Sequence, residues 1–313
     1  MPKFSVIIPL YNKEAHVLNT LKSVLRQSVT DYEIIVVNDG STDNSLAKVN
    51  TVIDHRLVIY NRKNEGVSQA RNFAMQNATG DYFVFLDADD IWKKNHLENL
   101  NQLITQHPNC GMYCANYCFD YGDGHIVNPK FHTLPETPNW SGIISDFFEA
   151  SMTNRIALTS AVAIPNEVIR TIGFFSPEIT SGQDTDFWTR IALEKDVCFT
   201  KKQSVLYNAC ATNRITNKSI LNKHLTTFEQ FLNAEKSNIS LKKFNDMYRS
   251  EYAIHYKIAG DLDSFNFYKK GINFKSISIK NKVLLQLPKP FLIALWQCKQ
   301  WGKAFKKGLA YNF

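Results

Sequence analysis

The sequence predicts an α/β protein: a Rossmann-like, mostly parallel sheet flanked by helices, followed by a C-terminal helical extension. Three observations carry this. Along roughly the first hundred of 313 residues, apolar β-branched runs alternate with segments of helical periodicity. Acids, asparagines and glycines gather where those runs end, the edge at which open α/β sheets bind ligands. Beyond Ser219, strand-like alternation stops.

Phe4 to Pro9 is the first strand, β-branched and apolar. Glu14 to Gln27 follows with helical spacing, placing Val17, Leu21, Val24 and Leu25 on one face. Tyr32 to Asn38 and Leu57 to Tyr60 are the second and third strands. Gly66 opens a helix that runs through Ala78, and Tyr82 to Leu86 is a fourth strand that ends in acids. Strands alternating with helices imply parallel pairing with both faces covered. The middle changes character. Met112 to Phe119 and His125 to Val127 flank Gly122-Asp123-Gly124, a hairpin signal. Phe131 to Trp140 carries prolines and reads as a loop, and Leu158 to Ile164 reads as a strand. Asp184 to Glu194 reads as a helix burying Phe187, Trp188 and Ile191. The expected organisation is one α/β domain over residues 1–215, with halves 1–105 and 106–215, then a helical region over 216–313.

Hydrophobic residues make up 44% of the chain, enough for a sizeable core and too many for wholesale disorder. The net charge of +7 is unevenly spread. Ser264 to Phe313 holds ten lysines and no Asp, Glu or Arg, which leaves the preceding 263 residues at −3. A mildly acidic body argues against nucleic acid as a partner. The basic, aromatic tail points to anionic lipid. There Phe291, Leu295, Cys298, Trp301, Phe305 and Leu309 follow helical spacing, with Lys299, Lys303, Lys306 and Lys307 on another face. Such a helix lies in a membrane surface or packs on protein with its lysines solvated. It does not span, because Pro288-Lys289-Pro290 interrupts a short apolar run. The six cysteines lack zinc-site spacing, and no secretory signal opens the chain, so a reduced, cytoplasmic setting is expected. Cys110, Cys114 and Cys118 read as small core residues.

Four clusters carry chemistry. Asp87-Ala88-Asp89 sits where Phe83-Val84-Phe85-Leu86 ends. One or two carboxylates plus a diphosphate complete the shell of a hard divalent cation, Mn²⁺ or Mg²⁺. An acidic loop capping the next helix has the same composition. In Asn38-Asp39-Gly40-Ser41-Thr42-Asp43, Asp39 is placed to accept a hydrogen bond from a uracil or thymine N3–H, while Ser41 or Thr42 caps a helix. In Asn64 through Asn72, Gly66 allows close backbone approach at a helix start, and Arg71 reaches either a phosphate or the acidic cluster. In Gly182-Gln183-Asp184-Thr185-Asp186 two acids straddle a helix start, where a carboxylate can serve as general base toward a hydroxyl of high pKa.

Together, Ser5 through Asn12, Ile35 through Asp43, Asn64 through Asn72, Gly80 through Asp90 and Gln183-Asp184 resemble, in order and spacing, the family 2 glycosyltransferases, inverting enzymes of the GT-A fold. The resemblance covers roughly residues 4–210. It implies a nucleotide-binding first half and an acceptor-binding second half. Pro9, Tyr11 and Asp39 look like the nucleoside pocket, with Tyr11 packing on the base. Gly66 and Arg71 look like donor contacts. Asp87 looks like the residue holding ribose and metal waters, Ala88 like its spacer, and Asp89 like the direct metal ligand. Asp184 matches the base that deprotonates the acceptor hydroxyl, with Asp186 as an alternative. The implied partners are a UDP-sugar or dTDP-sugar donor and a glycan or lipid-linked glycan acceptor. The implied setting is bacterial-type surface polysaccharide or lipid-linked oligosaccharide synthesis at the inner face of the membrane. Two departures stand out: Gln183 replaces the usual Glu before the base, and Tyr207 through Arg214 lacks the usual His, leaving Arg214 to meet phosphate.

Two competing readings fit less well. A sugar-nucleotide pyrophosphorylase needs a glycine-rich basic loop after the first strand, where this chain has Leu10-Tyr11-Asn12-Lys13-Glu14. A non-catalytic nucleotide-sugar scaffold would have lost the metal or base acids, and both are present. The helical region is expected to serve as an acceptor platform, a homodimer interface or the base of a membrane anchor.

Overall fold

The computed structural model describes residues 3–131, 133–211 and 219–298. They fall into two compact units, one reaching residue 217 and including 224–226, the other comprising 218–223 and the chain from 227 onward. Arg214 and the tail residues Lys299, Trp301, Lys303, Phe305, Lys306, Lys307 and Leu309 lie outside the described residues.

In the first unit the chain runs β1 (Phe4–Leu10), α1 (Val17–Leu25), β2 (Tyr32–Asp39), α2 (Ser45–Val49), β3 (Leu57–Arg62), α3 (Val67–Asn77) and β4 (Tyr82–Phe85). It continues with β5 (Ile91–Trp92), α4 (His96–Gln106), β6 (Met112–Asp120), β7 (Ile126–Val127), β8 (Ser141–Ile143), α5 (Phe147–Ala150) and β9 (Val162–Pro165). It ends with α6 (Val168–Ile172), α7 (Gln183–Glu194) and β10 (Val197–Asn208). The sheet order is β3-β2-β1-β4-β9-β6-β10-β5, with β7 on β6 and β8 on β10. Strands β3, β2, β1 and β4 are parallel, so Asp39, Leu10 and the residues after Phe85 emerge at one edge. Strand β9 enters antiparallel between β4 and β6. The GT-A architecture expected from the sequence is what the chain adopts, with helices around a sheet that is parallel across β3-β2-β1-β4 and between β6 and β10 and antiparallel at its other described pairings.

Local chemistry explains the details. Ile7 faces β4, its carbonyl accepting from Leu86 N–H at 3.0 Å. Pro9, two residues on, faces the side where β4 has ended, so its missing N–H leaves no ladder bond unmade. Val17, Leu21 and Val24 of α1 are fully buried, as their spacing predicts, and Phe187, Trp188 and Ile191 of α7 likewise. Helix α1 starts later than Glu14, because Asn12 is in the left-handed region (φ 51°) and the chain turns there. The expected strand Leu158–Ile164 is instead a 3₁₀ turn, Thr159–Ala161, leading into β9. Strand β10 has no clean sequence signal: Lys201 and Lys202 fall where its register against β6 shifts, and a bulge there breaks the period-2 pattern. Cys114 and Cys118 are buried on β6 as expected, and all six cysteines are free thiols.

His96, at the start of α4, is fully buried. Its Nδ1 lies 2.8 Å from Ser204 Oγ and its ring 4.2 Å from that of Trp92. Burial without an opposing charge pushes its pKa down to about 3.

The described part of the second unit is helical: α8 (Leu232–Ser237), α9 (Ile239–Ala259), α10 (Leu262–Lys270), α11 (Ile279–Gln286) and a helical stretch over 289–298. Side chains of Asn238, Asp261 and Ser278 cap α9, α10 and α11 by accepting from the N–H three residues on. Inside, Glu235, Lys242, Asp246 and Arg249 form a charged cluster. Arg249 donates to Asp246 at 3.0 Å and pairs with Glu235 at 2.7 Å. Lys242 bridges to Asp246 and lies 3.6 Å from Glu235. Asn245 Nδ2, Asn273 N–H and the Gly271 carbonyl satisfy remaining lone pairs and protons. No helix among the described residues is long and apolar enough to cross a membrane.

Candidate functional site

The carboxyl edge of β1, β2 and β4 is tied together by side chains from the loops that follow them. Asn12 Oδ1 accepts from Thr42 N–H at 2.7 Å and Asp43 N–H at 3.3 Å, while Asn12 N–H donates to Ser41 Oγ at 3.1 Å. This pins the β1 loop to the β2 loop and leaves Tyr11 exposed beside Pro9.

Asp39, the last residue of β2, is only 4% exposed. Its two oxygens accept from the N–H groups of Glu65 (2.8 Å) and Gly66 (2.9 Å). Burial pushes its carboxyl pKa up, and the two amides pull it part of the way back. Gly66 is the N-cap of α3 with φ 94°, a conformation costly for residues with a Cβ. Asp39 thus clamps the start of α3 to the sheet edge, and one lone pair per oxygen remains for a further donor.

Five residues into α3, Arg71 is 3% exposed. Nη2 donates to Asp87 Oδ1 at 2.6 Å, and the guanidinium lies over the Phe175 ring at 5.3 Å. Its Nε and Nη1 are buried and have no partner among the described residues. An unsatisfied buried donor is costly, so Arg71 is built to take an additional acceptor.

Asp87 and Asp89 follow β4, with Ala88 buried between them. Asp87 is one-third exposed, and Asp89 is 13% exposed and paired through Oδ2 with Lys13 Nζ at 2.6 Å. Beneath them Asp90 is fully buried. Its carboxylate accepts from Ser160 Oγ at 2.5 Å and Asn208 N–H at 2.9 Å. Ser160 Oγ also accepts from Asp87 N–H at 3.0 Å, so one hydroxyl joins the acidic loop to the turn before β9. Burial, then the neighbouring Asp89 and Asp87, push the Asp90 pKa well above the usual carboxylate range.

No group of three or more His, Cys, Asp or Glu side chains arranged to hold a metal occurs among the described residues. Asp87 and Asp89 offer a pair of hard oxygen donors. Each already carries a cationic partner on one oxygen, and the second oxygens suit a divalent ion that draws its other ligands from water or phosphate.

Helix α7 brings the fourth cluster. Gly182, in the left-handed region (φ 81°), turns the chain into the helix, and Asp184 stands in its first turn, where the helix dipole favours an anion. Asp184 accepts from Arg155 Nη1 at 3.1 Å and from Thr185 N–H at 2.8 Å. Asp186 is fully buried, bonded by Ser176 Oγ at 3.1 Å and Arg190 Nε at 3.0 Å. Arg190 also donates to the carbonyls of Ile172 and Phe174, which makes Asp186 the anchor of the segment before α7. An aromatic cluster links this helix to the acidic loop. Trp188 packs on Phe85 of β4 (5.7 Å) and on Phe175, and Phe175 in turn carries Arg71.

The structure therefore gathers Pro9, Tyr11, Asp39, Gly66, Arg71, Asp87, Ala88 and Asp89 on one edge, and packs α7, the helix that carries Asp184, on Phe85 of β4 through Trp188. Sequence reasoning overlooked Lys13, Arg155 and Ser160. A lone lysine, arginine or serine in a loop has no periodicity to mark it, and each meets its acid across a long stretch of chain.

The chain matches the family model described as glycosyl transferase family 2 over residues 5–164. It is 32% identical over 225 residues to TuaG of Bacillus subtilis, a glycosyltransferase provisionally assigned to teichuronic acid biosynthesis, covering 70% of this chain and 81% of TuaG. A Rickettsia conorii glycosyltransferase of uncharacterized role is 31% identical over 202 residues, 62% of this chain and 31% of that protein. The chain thus spans under a third of that longer relative, and 23% of the glycosyltransferase GlyA of Streptococcus pneumoniae. Among solved structures, residues 1–349 of S. aureus TarS in complex with UDP-GlcNAc superpose with a TM-score of 0.59 at 20% identity, covering 87% of this chain and 93% of that one. At that identity the likeness concerns the fold.

Proposed function

The chain belongs to the family 2 glycosyltransferases, and on that premise we propose that it transfers a sugar from a UDP-sugar to an acceptor hydroxyl with inversion at the anomeric carbon. The observation that carries this is the half-satisfied charge at the sheet edge: Arg71 keeps two buried donors unpartnered among the described residues beside Asp87, and Asp89 faces a cation. A diphosphate supplies the acceptors that Arg71 lacks. Asp39 has room for one imide N–H, which favours a uracil or thymine base, and Tyr11 stands exposed to cover that base. The UDP and UDP-GlcNAc complexes of TarS, a protein of the same fold, support a UDP donor.

Asp184 is the group that removes the acceptor proton. Arg155 and the first turn of α7 orient its carboxylate, and a proton taken there leaves the hydroxyl oxygen free to attack. Asp87 and Asp89 would hold Mn²⁺ or Mg²⁺, which when bound supplies Lewis-acid neutralisation of the departing diphosphate. The test is UDP release from a panel of UDP-sugars with Mn²⁺, Mg²⁺ or EDTA. Metal-dependent hydrolysis of one donor, lost in Asp89→Ala, is expected. Asp184→Asn should lower acceptor-dependent turnover by about 10²–10⁴ while donor binding survives. If no UDP-sugar binds with or without metal, the donor assignment is wrong.

The second unit supports a membrane-side acceptor. Ile279, Val283, Phe291, Leu295 and Trp296 are exposed, and Lys280, Lys282 and Lys289 lie among them in a segment without acids. Apolar side chains interleaved with lysines suit an anionic bilayer surface, such as the inner face of a membrane carrying lipid-linked glycan. Sedimentation with phosphatidylglycerol vesicles, reduced by salt and by Phe291→Ser/Leu295→Ser/Trp296→Ser, is expected. Equal sedimentation of the triple variant would discard this surface.

A further inference from the structure

Lys13 lies at the start of the loop between β1 and α1, and its ammonium sits 2.6 Å from Asp89 Oδ2. Both side chains are only 13% exposed. The placement is built rather than incidental. Lys13 N–H donates to Ser45 Oγ at 2.7 Å, and the residue before it is held by Ser41, Thr42 and Asp43, so the backbone that carries the lysine is fixed to the β2 loop. Arg71 does the same for Asp87 from the opposite element, α3. The two acids of the loop are therefore each neutralised by a cation of the chain itself, but the two cations differ in kind. Arg71 is nearly fully buried under Phe175 and has nowhere to swing. Lys13 ends in a compact point charge on a four-carbon stem with rotatable bonds, and it keeps some contact with solvent.

We infer that Lys13 is the stand-in cation of Asp89: it occupies the carboxylate until a divalent ion arrives, competes with that ion, and on displacement offers its ammonium to the nucleotide diphosphate. This rests on the reading of Asp89 as a metal ligand. The physical ground is that an ammonium and a divalent ion on one carboxylate repel each other, so each lowers the occupancy of the other. When a diphosphate is present the displaced ammonium has a new counter-charge within reach, and the repulsion becomes an attraction. Lys13 is then a positioning residue that couples the two ligands. Metal binds poorly alone and well together with the nucleotide, and by linkage the nucleotide gains from the metal by the same factor. The free protein avoids both an unpaired acid at the sheet edge and a tightly held metal without donor.

The experiment is a titration of the full chain with Mn²⁺ alone, read by the loss of the free-ion paramagnetic resonance signal, and then with Mn²⁺ at saturating UDP. It compares wild type, Lys13→Met, Lys13→Arg and Asp89→Asn. Lys13→Met should bind Mn²⁺ alone about fivefold more tightly than wild type, the scale of one ion pair that keeps some contact with solvent. The gain in Mn²⁺ affinity on adding UDP should shrink by a similar factor. Lys13→Arg, which keeps the charge, should stay close to wild type. Unchanged or weaker Mn²⁺ binding in Lys13→Met, with binding abolished in Asp89→Asn, overturns the competition and leaves the metal assignment standing. Mn²⁺ binding indifferent to Asp89→Asn overturns the metal assignment and this inference with it.

Discussion

The two units of the molecule each contain a cluster of two acids, one arginine and one lysine, and the clusters are built to opposite ends. In the second unit Glu235, Asp246, Arg249 and Lys242 are cross-linked, and Asn245, the Asn273 N–H and the Gly271 carbonyl close the network. In the first unit the Asp87 carboxylate meets Arg71's Nη2, and Asp89 meets Lys13; both acids keep some contact with solvent, and Arg71 keeps two nitrogens unsatisfied among the described residues. The closed network pairs each charged group with an opposite charge, and the unmet atom left at its margin among the described residues is the neutral Asn245 Oδ1. The open one leaves two buried guanidinium nitrogens without a partner among the described residues. Residue type does not separate the two clusters; unmet hydrogen bonds on their charged groups do.

The sharpest break of this comparison is an exchange of effects. Asp246→Ala leaves Glu235 alone to neutralise both Arg249 and Lys242 in a largely buried site and should cost about 3–5 kcal/mol of stability in denaturant unfolding, with UDP binding unchanged. Asp89→Ala should do the reverse, lowering metal-dependent donor turnover about a hundredfold or more while unfolding stability moves by about 1 kcal/mol at most. If Asp89→Ala proves as destabilising as Asp246→Ala, the open cluster is structural too.

A smaller effect concerns His96, a buried ionisable group outside both clusters. Its folded pKa of about 3 lies below the usual value of 6.5, so the unfolded chain binds the proton more readily between these values. The stability associated with neutral His96 is complete above pH 6.5 and is lost progressively as pH falls toward 3. Between pH 6.5 and 5 the loss should reach about 2 kcal/mol. Denaturant midpoints of wild type and His96→Phe across this range should diverge, with the variant flatter. Parallel curves would assign acid sensitivity to other groups.

The smallest expected change separates Arg71 from Lys13. Arg71→Met should weaken UDP binding about tenfold, the worth of one charge-assisted bond, and Arg71→Lys should not restore it, because lysine cannot serve Asp87 and a phosphate with one planar fork. Calorimetric titration with UDP checks this. Full rescue by lysine would mean that only charge matters there.

Much of the site was legible in the sequence, because strand ends are. Apolar runs with the right period placed β1, β2 and β4, and a parallel arrangement sends the residues after them to one edge. Gly66 marked a helix start, and Asp87-Ala88-Asp89 marked a carboxylate pair. Strand β10 was not legible, since the bulge at Lys201 and Lys202 disrupts the alternation by which strands are recognised. The charged cluster of the second unit was hidden as well. Lys242, Asp246 and Arg249 are spaced along α9 like an ordinary solvated helix face.

By itself the sequence determined the order of strands through β4, the family and the set of acids at their ends, because these depend on local periodicity and short motifs. Only the tertiary structure decided which partner each acid keeps. Lys13 reaches Asp89 across 76 residues, Ser160 reaches Asp90 across 70, and Arg155 reaches Asp184 across 29, separations over which no local pattern carries information. It gave Asp184 and Asp186 different surroundings, too. Two residues apart on a helix they point about 200° from each other, so one must face inward. The packing of α7 on Phe85 and Phe175 turns Asp186 into the interior against Arg190 and leaves Asp184 beside Arg155.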